Sequence, residues 1–430
     1  MNKVQIIILI LSGIIGVIAL LMFAGYIGPG TNNNNVSGGV LTIWGTVPQA
    51  DIKDIIGEYK RTTKINISYV AVVEDGLTDK LTKAIARNEG PDVIIHDVGW
   101  INANRDILSN TPREILSVRD YQNIYVDAAS AAFIENNKIW AFPLWSDPLV
   151  LYWNKDLFNR AGVAAPPKNW TELTRYSNQL KEIGDGGSVR KAGVALGRAR
   201  NIALFNDIVS LLLLQSGGDI EDSDGIFLFG KEANFEIGRS TLKFYTDFGK
   251  GGTNEYTWNT NVPEAREFFN QGMLAMMLDY ISYAPTLRQK NPHLSFDTAP
   301  APQLEGAEFP IYISSIGGAA VPIGSKNGLT AWSFAKWFSG ADAMRAYLKS
   351  QPLAPARRDL MNDTELAKSD IFPLLRQLTL NSRRVRDTHP QENSRALSDM
   401  IEAVADDRLT PTDAIDNAQN ILNKNRSRQK

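Results

Sequence analysis

The run Ile139-Trp-Ala-Phe-Pro-Leu-Trp-Ser-Asp-Pro-Leu-Val-Leu-Tyr-Trp-Asn-Lys-Asp-Leu-Phe158 decides the architecture. Residues 139–142 are a short apolar stretch leading into Pro143. Residues 149–153 are branched and aromatic, the composition of a buried strand. Polarity then changes, and 156–161 reads as a short helix closed by Gly162. Pro166-Pro167 interrupts the chain, after which the Thr171 hydroxyl is placed to cap a helix over 172–183. A strand followed by a helix therefore begins afresh at Pro143.

The same alternation is present upstream. Residues 40–44 read as a strand ending at Gly45. A helix follows with Asp51 as its expected cap and Ile52, Ile55, Ile56 and Tyr59 on one face. Residues 65–73 return to a strand pattern, 78–88 to a helical one, and 92–96 form another apolar strand after the Gly90-Pro91 break. Strand, helix and strand in succession argue for a parallel α/β sheet, whose ligands sit beyond the carboxyl ends of the strands. Trp44, Asp97 and Trp100 fall at such ends. Downstream, helices are expected near 202–216, 236–248, 263–271 and 331–338, and strands near 274–278, 296–299, 311–313 and 319–322.

At 430 residues the chain exceeds what one core usually serves, so two lobes are expected. A net charge of −2 supplies no broad positive field for nucleic acid. With no cysteine, disulfides, Cys-ligated metals, thiol nucleophiles and a lipid-bearing cysteine are all excluded. The three histidines, His96, His293 and His389, are too few for a multi-histidine metal site. No cofactor is expected.

Residues 6–27 carry no charge, and roughly 20 such residues suffice to cross a bilayer as a helix. Lys3 precedes them and no charge follows until Asp51, which places the remainder outside the cytoplasm. A cleaved signal is the rival reading, but cleavage after Ala24 would put the large Met22 at a small-residue position. Residues 28–39, with Pro29 and four consecutive asparagines, read as a tether.

Five ordered motifs carry a resemblance. The opening stretch resembles the "G-x-P…LYYNKDLF" core of family 1 extracellular solute-binding proteins, the maltose-binding-protein-like group. Gly162 through Leu173 is similar to that family's "AG…PP-TWDEL". Phe269-Asn-Gln-Gly-Met-Leu-Ala-Met-Met277 is similar to its "F-x-x-G-x-x-AM", Gly90-Pro-Asp-Val93 to its "G-x-PDV", and Pro355-Ala-Arg-Arg-Asp359 to its "PARRD".

The resemblance implies an α/β, two-lobed fold of the periplasmic-binding-protein type II, each lobe a mixed, mainly parallel sheet flanked by helices. Lobe 1 would comprise 40–142 and 308–346, and lobe 2 would comprise 143–307 and 347–430. It further implies a monomer that captures a mono- or oligosaccharide between the lobes and delivers it to ABC permease subunits. The alternatives within the fold are a polyamine, a glycerol phosphate or a peptide as ligand, or a receptor feeding a sensor kinase. A glycoside hydrolase would need two opposed carboxylates. No nucleophile elbow, phosphate loop or metal-ligand run is present, so no enzymatic activity is expected.

A sugar presents apolar C–H faces and a rim of hydroxyls, which suit aromatic rings and carboxylates or arginine respectively. The candidate ligand residues are accordingly Trp44, Asp97, Trp100, Trp145, Asp147, Tyr280, Tyr283, Tyr312 and Arg357. The resemblance gives Asp147 the role of accepting hydroxyl hydrogen bonds, and places Tyr280 and Tyr283 where relatives carry a stacking ring. Each has a plainer reading: Asp97 as a helix cap, Arg357 as the partner of Asp359, and Trp140, Trp153 and Trp170 as packing residues. His96 reads as a satisfied buried histidine. The acidic run 221–225 fails the calcium-loop frame, and the arginines at 383, 384 and 386 read as a solvated helix face.

Overall fold

The computed structural model describes residues 40–219, 229, 235–383 and 389–427. The expected anchor over 6–27, the tether over 28–39, the acidic run 221–225, and Arg384 and Arg386 lie outside the described residues. Among the described residues, no helix is long and apolar enough to cross a membrane.

The chain is an α/β protein built on one continuous mixed sheet. Its first edge is β2 (Asn66–Ala71), paired in parallel with β1 (Val40–Gly45), which pairs in parallel with β3 (Val93–Asp97). Helices α1 (Gln49–Thr63) and α2 (Leu77–Ala86) are the connections. Ile52, Ile55 and Tyr59 of α1 are buried, so the 3.6-residue spacing read from sequence is the buried face. Its cap is different from the expected one: Pro48 precedes the helix and Asp51 lies in the first turn, where its charge meets the helix dipole.

The middle of the sheet consists of two long strands. β4 (Phe142–Asn154) runs 13 residues, and β8 (Tyr312–Pro322) runs 11 residues antiparallel to it. On one side β8 pairs antiparallel with β3. On the other, β4 pairs antiparallel with β6 (Leu274–Tyr280) and β7 (Phe296–Pro300), and β6 pairs in parallel with β5 (Val189–Val194). The sheet is thus parallel at its first end and antiparallel through its centre, and beyond the parallel pair of β6 and β5 the short edge strand Glu182–Ile183 is again antiparallel.

The strand does not break at Pro143 as its sequence suggests. Proline cannot donate to a ladder and is tolerated at bulges. Here Pro143 lies opposite Gly318, where the register shifts between Gly317 and Gly318, and Pro148 lies opposite Ser314.

Buried side chains form two clusters, and the two long strands pass from one to the other. Leu41, Ile43, Val93–Ile95, Phe142, Leu144, Ile316 and Ala319–Val321 belong to the first. Leu149–Tyr152, Leu274–Leu278, Tyr312 and Ile313 belong to the second. On β4 the change falls between Leu144 and Leu149, and on β8 between Ile313 and Ile316. A third contact reinforces this junction: Ser146 and Ala354 exchange backbone hydrogen bonds at 2.8 and 2.9 Å. Tyr347, Leu348, Leu360, Met361 and Phe372 pack in the first cluster, and the second resumes with Leu375.

Local signals at the helix ends were partly misassigned by sequence. The helix after the Pro-Pro turn is α4 (Trp170–Leu180), and its cap is Asn169, whose side chain accepts the Glu172 amide at 2.8 Å. Asn169 is extended and Thr171 is already helical, so the earlier polar residue takes the cap. After β4, Asn154 accepts the amides of Asp156 and Leu157, and Gly162 closes the short helix Lys155–Arg160 with φ of 70°.

Candidate functional site

A cavity of about 220 Å³ lies between the two clusters. The first cluster's side contributes Gly99 and Asn102 from α3 (Val98–Ala103). The other side contributes Asn206, Asp207 and Ser210 from α5 (Phe205–Gln215), together with Tyr280 at the end of β6. Ser314 and Ser315 of β8 form its floor, and Arg383 lies at its side. Larger hollows exist, including one of about 410 Å³ between helices Pro390–Ala405 and Pro411–Ser427. That groove presents mainly apolar groups from within one core, including Ala396, Met400 and Leu409. Convergent polar groups from both sides of the molecule single out the cavity between the clusters.

Tyr280 is its centre. The Tyr280 hydroxyl donates to the Asp207 carboxylate. Burial, followed by the negative fields of Asp207, Asp147 and Asp97, pushes the phenol well above its ordinary range. Of the three, Asp207 alone shares the cavity wall with Tyr280. Asn206 gives its amide N–H to Ser394 Oγ at 2.6 Å, while its buried Oδ1 has no partner.

Asp97 ends β3. Its Oδ1 accepts the Trp100 amide at 3.0 Å, so it caps α3, and its side chain keeps 42% exposure. Burial would raise its pKa, but the bonds from the Trp100 and Gly99 amides, with the His96 ring alongside, hold it below the usual carboxylate value. His96 is 1% exposed; its Nδ1 accepts the Asp97 amide at 2.8 Å, and its Nε2 has no partner. It is buried as expected but only half satisfied. Glu74, His96 and Asp97 bring ligand-type atoms within 4.8 Å of one another. The nitrogen that faces Asp97 is Nδ1, and its lone pair is already taken by the amide.

Asp147 lies on β4 between the two clusters and is 8% exposed. Its Oδ1 accepts the Ser282 amide at 3.1 Å, and the Ser282 hydroxyl bonds it as well. Burial pushes its pKa up to about 7, against the bonds from Ser282. Asp279 adds a like charge, and the Arg266 guanidinium is already bound to Asp279 at 2.6 and 2.8 Å.

Trp145 is half-buried and packs on Tyr347, ring centroids 5.5 Å apart. Its ring occupies the space where a side chain at Gly317 would begin: a Cβ there would lie 2.0 Å from Trp145 Cε2. Gly317→Ala is expected to displace Trp145 at a cost of about 1–3 kcal/mol. A lower denaturation midpoint accompanied by a shifted native tryptophan emission is the result to look for.

The remaining candidates are placed elsewhere. Trp44 and Trp100 are each 9% exposed in the first cluster; Lys80 lies 4.9 Å over the Trp44 ring, and Trp100 stacks on His96 at 5.0 Å. Tyr283 carries the Arg266 guanidinium over its ring at 4.5 Å. Tyr312 is 3% exposed in the second cluster and bonds Gln377, because β8 is covered on both faces there. Arg357 is bound to Asp359 at 2.8 and 2.9 Å and to the Ser339 carbonyl at 3.2 Å. Of the nine candidates, Tyr280 alone lines the cavity; Asp97 and Asp147 lie outside its lining, near enough for their charges to act on the Tyr280 hydroxyl. Asp207, Asn206 and Asn102 were missed. One signal pointed to Asp207: it is the sole charged residue between Asn201 and Gly218, in a helix rich in isoleucine, valine and leucine.

A family model described as bacterial extracellular solute-binding protein matches residues 44–345. Putative binding proteins of Brucella abortus are 21% identical over 240 residues, which is 55% of this chain and 56% of theirs. The chain thus aligns with little more than half the length of these curated relatives. The galactooligosaccharide-binding protein of Bacillus subtilis is 23% identical over 403 residues, 89% of this chain and 88% of the relative. Two solved structures share the fold. An ABC transporter solute-binding protein from Thermotoga lettingae with bound α-D-tagatose has a TM-score of 0.70 at 21% identity, covering 90% of this chain and 99% of its own. UgpB from Mycobacterium tuberculosis in complex with glycerophosphocholine has a TM-score of 0.73 at 17% identity, covering 91% and 99%.

Proposed function

Because the chain belongs to the bacterial extracellular solute-binding proteins, we propose that it captures a carbohydrate in the cavity between two lobes and delivers it to an ABC permease. The observation that carries this reading is the convergence of amides, hydroxyls and a carboxylate on Tyr280 from both sides of that cavity. Carboxylate and amide oxygens accept from sugar hydroxyls, and amide N–H groups donate to them. Asp207 and Tyr280, which line that cavity, are the side chains assigned to contact.

Two lobes are supported by the two buried clusters. Lobe 1 then holds 40–144 and 316–372, and lobe 2 holds 149–313 and 375–422. Closure would turn the lobes about the segments where β4 and β8 change cluster. The chain acts as a monomer held at the outer face of the membrane by residues 6–27, which keeps it close to its permease. Its role is binding without turnover.

Titrating the purified chain with mono- and oligosaccharides while following tryptophan emission and heat tests the reading. A saturable response at micromolar concentration is expected, corresponding to about −8 kcal/mol. Silence toward every sugar would sink it, and release of hydrolysed product would replace binding by catalysis. Arg383 at the side of the cavity favours one second reading, a phosphate ester, so glycerol 3-phosphate belongs in the panel.

A further inference from the structure

Both contacts assigned above, Asp207 and Tyr280, come from the second cluster's side of the cavity. We propose that Asn102 is the contact from the first cluster's side, donating its amide N–H groups to a ligand oxygen, and that Arg105 is the positioning residue that turns those groups toward the cavity. This rests on the reading above that the cavity is the ligand site.

Asn102 lies near the end of α3 and lines the cavity, whereas Arg105 does not line it. Arg105 Nη2 donates to Asn102 Oδ1 at 2.7 Å, three residues back along the chain. A guanidinium carries five donors and no acceptor, so the amide can face it only with its oxygen. The two N–H groups on Nδ2 have no partner among the described residues, and they are the end left for the cavity. An amide on its own could present either end. Here the cation behind it chooses.

Arg105 is itself held in place. Its Nη1 pairs with Glu135 of the two-residue strand Ile134–Glu135, and its guanidinium lies 5.7 Å from the centre of the Trp140 ring. The side chain is 15% exposed. Trp140, expected as a packing residue, thus lies against the cation that orients a cavity amide. Two N–H groups on this wall suit a hydroxyl or a ring oxygen. A protonated amine, which only donates, finds no partner at them. With Asp207 and Tyr280 on the other side, a ligand held by Asn102 touches both sides, the differential contact that a closed form needs.

Calorimetry on the full-length chain with D-tagatose, galactobiose and maltotriose tests both roles. Asn102→Ala is expected to weaken binding about fivefold to tenfold, the loss typical of a neutral hydrogen bond. Asn102→Asp keeps the shape and an oxygen for Arg105 but offers no donor, so it is expected to bind no better than Asn102→Ala. Arg105→Met frees the amide to turn and is expected to weaken binding to a similar degree. The double variant Asn102→Ala, Arg105→Met is expected to match Asn102→Ala alone, because Arg105 acts through that amide. Wild-type affinity in Asn102→Ala or Asn102→Asp overturns the donor role. Wild-type affinity in Arg105→Met, or losses that add in the double variant, overturn the positioning role. Where Arg105→Met does not fold with Glu135 stranded, Glu135→Gln is combined with every arm and carries the same comparison. If the wild-type chain binds none of the three sugars, the carbohydrate reading falls and this assignment with it, a result distinct from any pattern among the variants.

Discussion

Arg198→Met is expected to lower stability by about 3–5 kcal/mol, the usual consequence of stranding a buried charge. The Arg198 side chain is 9% exposed and Glu402 is 4% exposed. Nη1 donates to Glu402 Oε2 at 3.0 Å and pairs with Asp406, while Nε and Nη2 donate to the Gly249 carbonyl at 3.2 and 3.0 Å. Glu402 Oε1 accepts the amides of Ala199 and Arg200 at 2.9 and 3.1 Å. This network fastens the helix Pro390–Ala405 to the segment following β5, more than 200 positions earlier in the chain. Removing the guanidinium leaves the Glu402 charge without its cation and the Gly249 carbonyl without its donors. Adding Glu402→Leu removes the stranded charge and is expected to recover part of the loss. Recovery stays incomplete because the Ala199 and Arg200 amides then lack an acceptor. Equilibrium urea unfolding of the single and double variants measures both effects. A loss below about 1 kcal/mol for Arg198→Met would show that the network is dispensable.

Asp147→Asn is expected to stabilise the chain, and to do so more strongly as pH rises. In the folded protein this carboxyl titrates at about 7, raised from 3.8 by burial. The folded state therefore holds a proton that the unfolded state has released across that window. The contribution of the wild-type side chain is present below the unfolded value and is lost as pH rises through about 7. Asparagine does not titrate, so its advantage over aspartate should be about 2–3 kcal/mol larger at pH 8 than at pH 5. Unfolding curves at the two pH values test this directly. An advantage that is constant with pH would mean that the Asp147 carboxyl is ionised in the folded state throughout.

Much of the architecture was legible because it follows from apolar periodicity. The three strands β1 to β3 at one end of the sheet, the strand Leu274–Tyr280 and the buried face of α1 all rest on which residues must be buried, whereas β5 at the far end and the continuity of β4 through Pro143 carry no such signal. The site was less legible because its residues are assembled across the fold. Asp207 is placed in the cavity by α5, whose string of isoleucine, valine and leucine reads as core. Tyr312 occupies a strand buried on both faces, a position that strand periodicity cannot separate from one facing a cleft. Arg357 has a carboxylate two residues away, and the local pair captured it. Asp97 admitted two readings, and the geometry displays the local one: its Oδ1 caps α3.

The two prolines of β4 have a mechanical consequence. Pro143 and Pro148 bracket the stretch in which the strand changes cluster, and neither can donate to the facing strand. Pro143 brings no N–H to the register shift at Gly317–Gly318, and Ser146 turns its backbone groups to Ala354, so the β4–β8 ladder is irregular at the junction while the chain itself remains continuous. Twisting one half of the sheet against the other strains fewer backbone bonds there than anywhere else along the pair. The torsional compliance that the proposed closure needs would then be localised at this irregular stretch. Little of the binding free energy then has to be diverted into breaking the sheet.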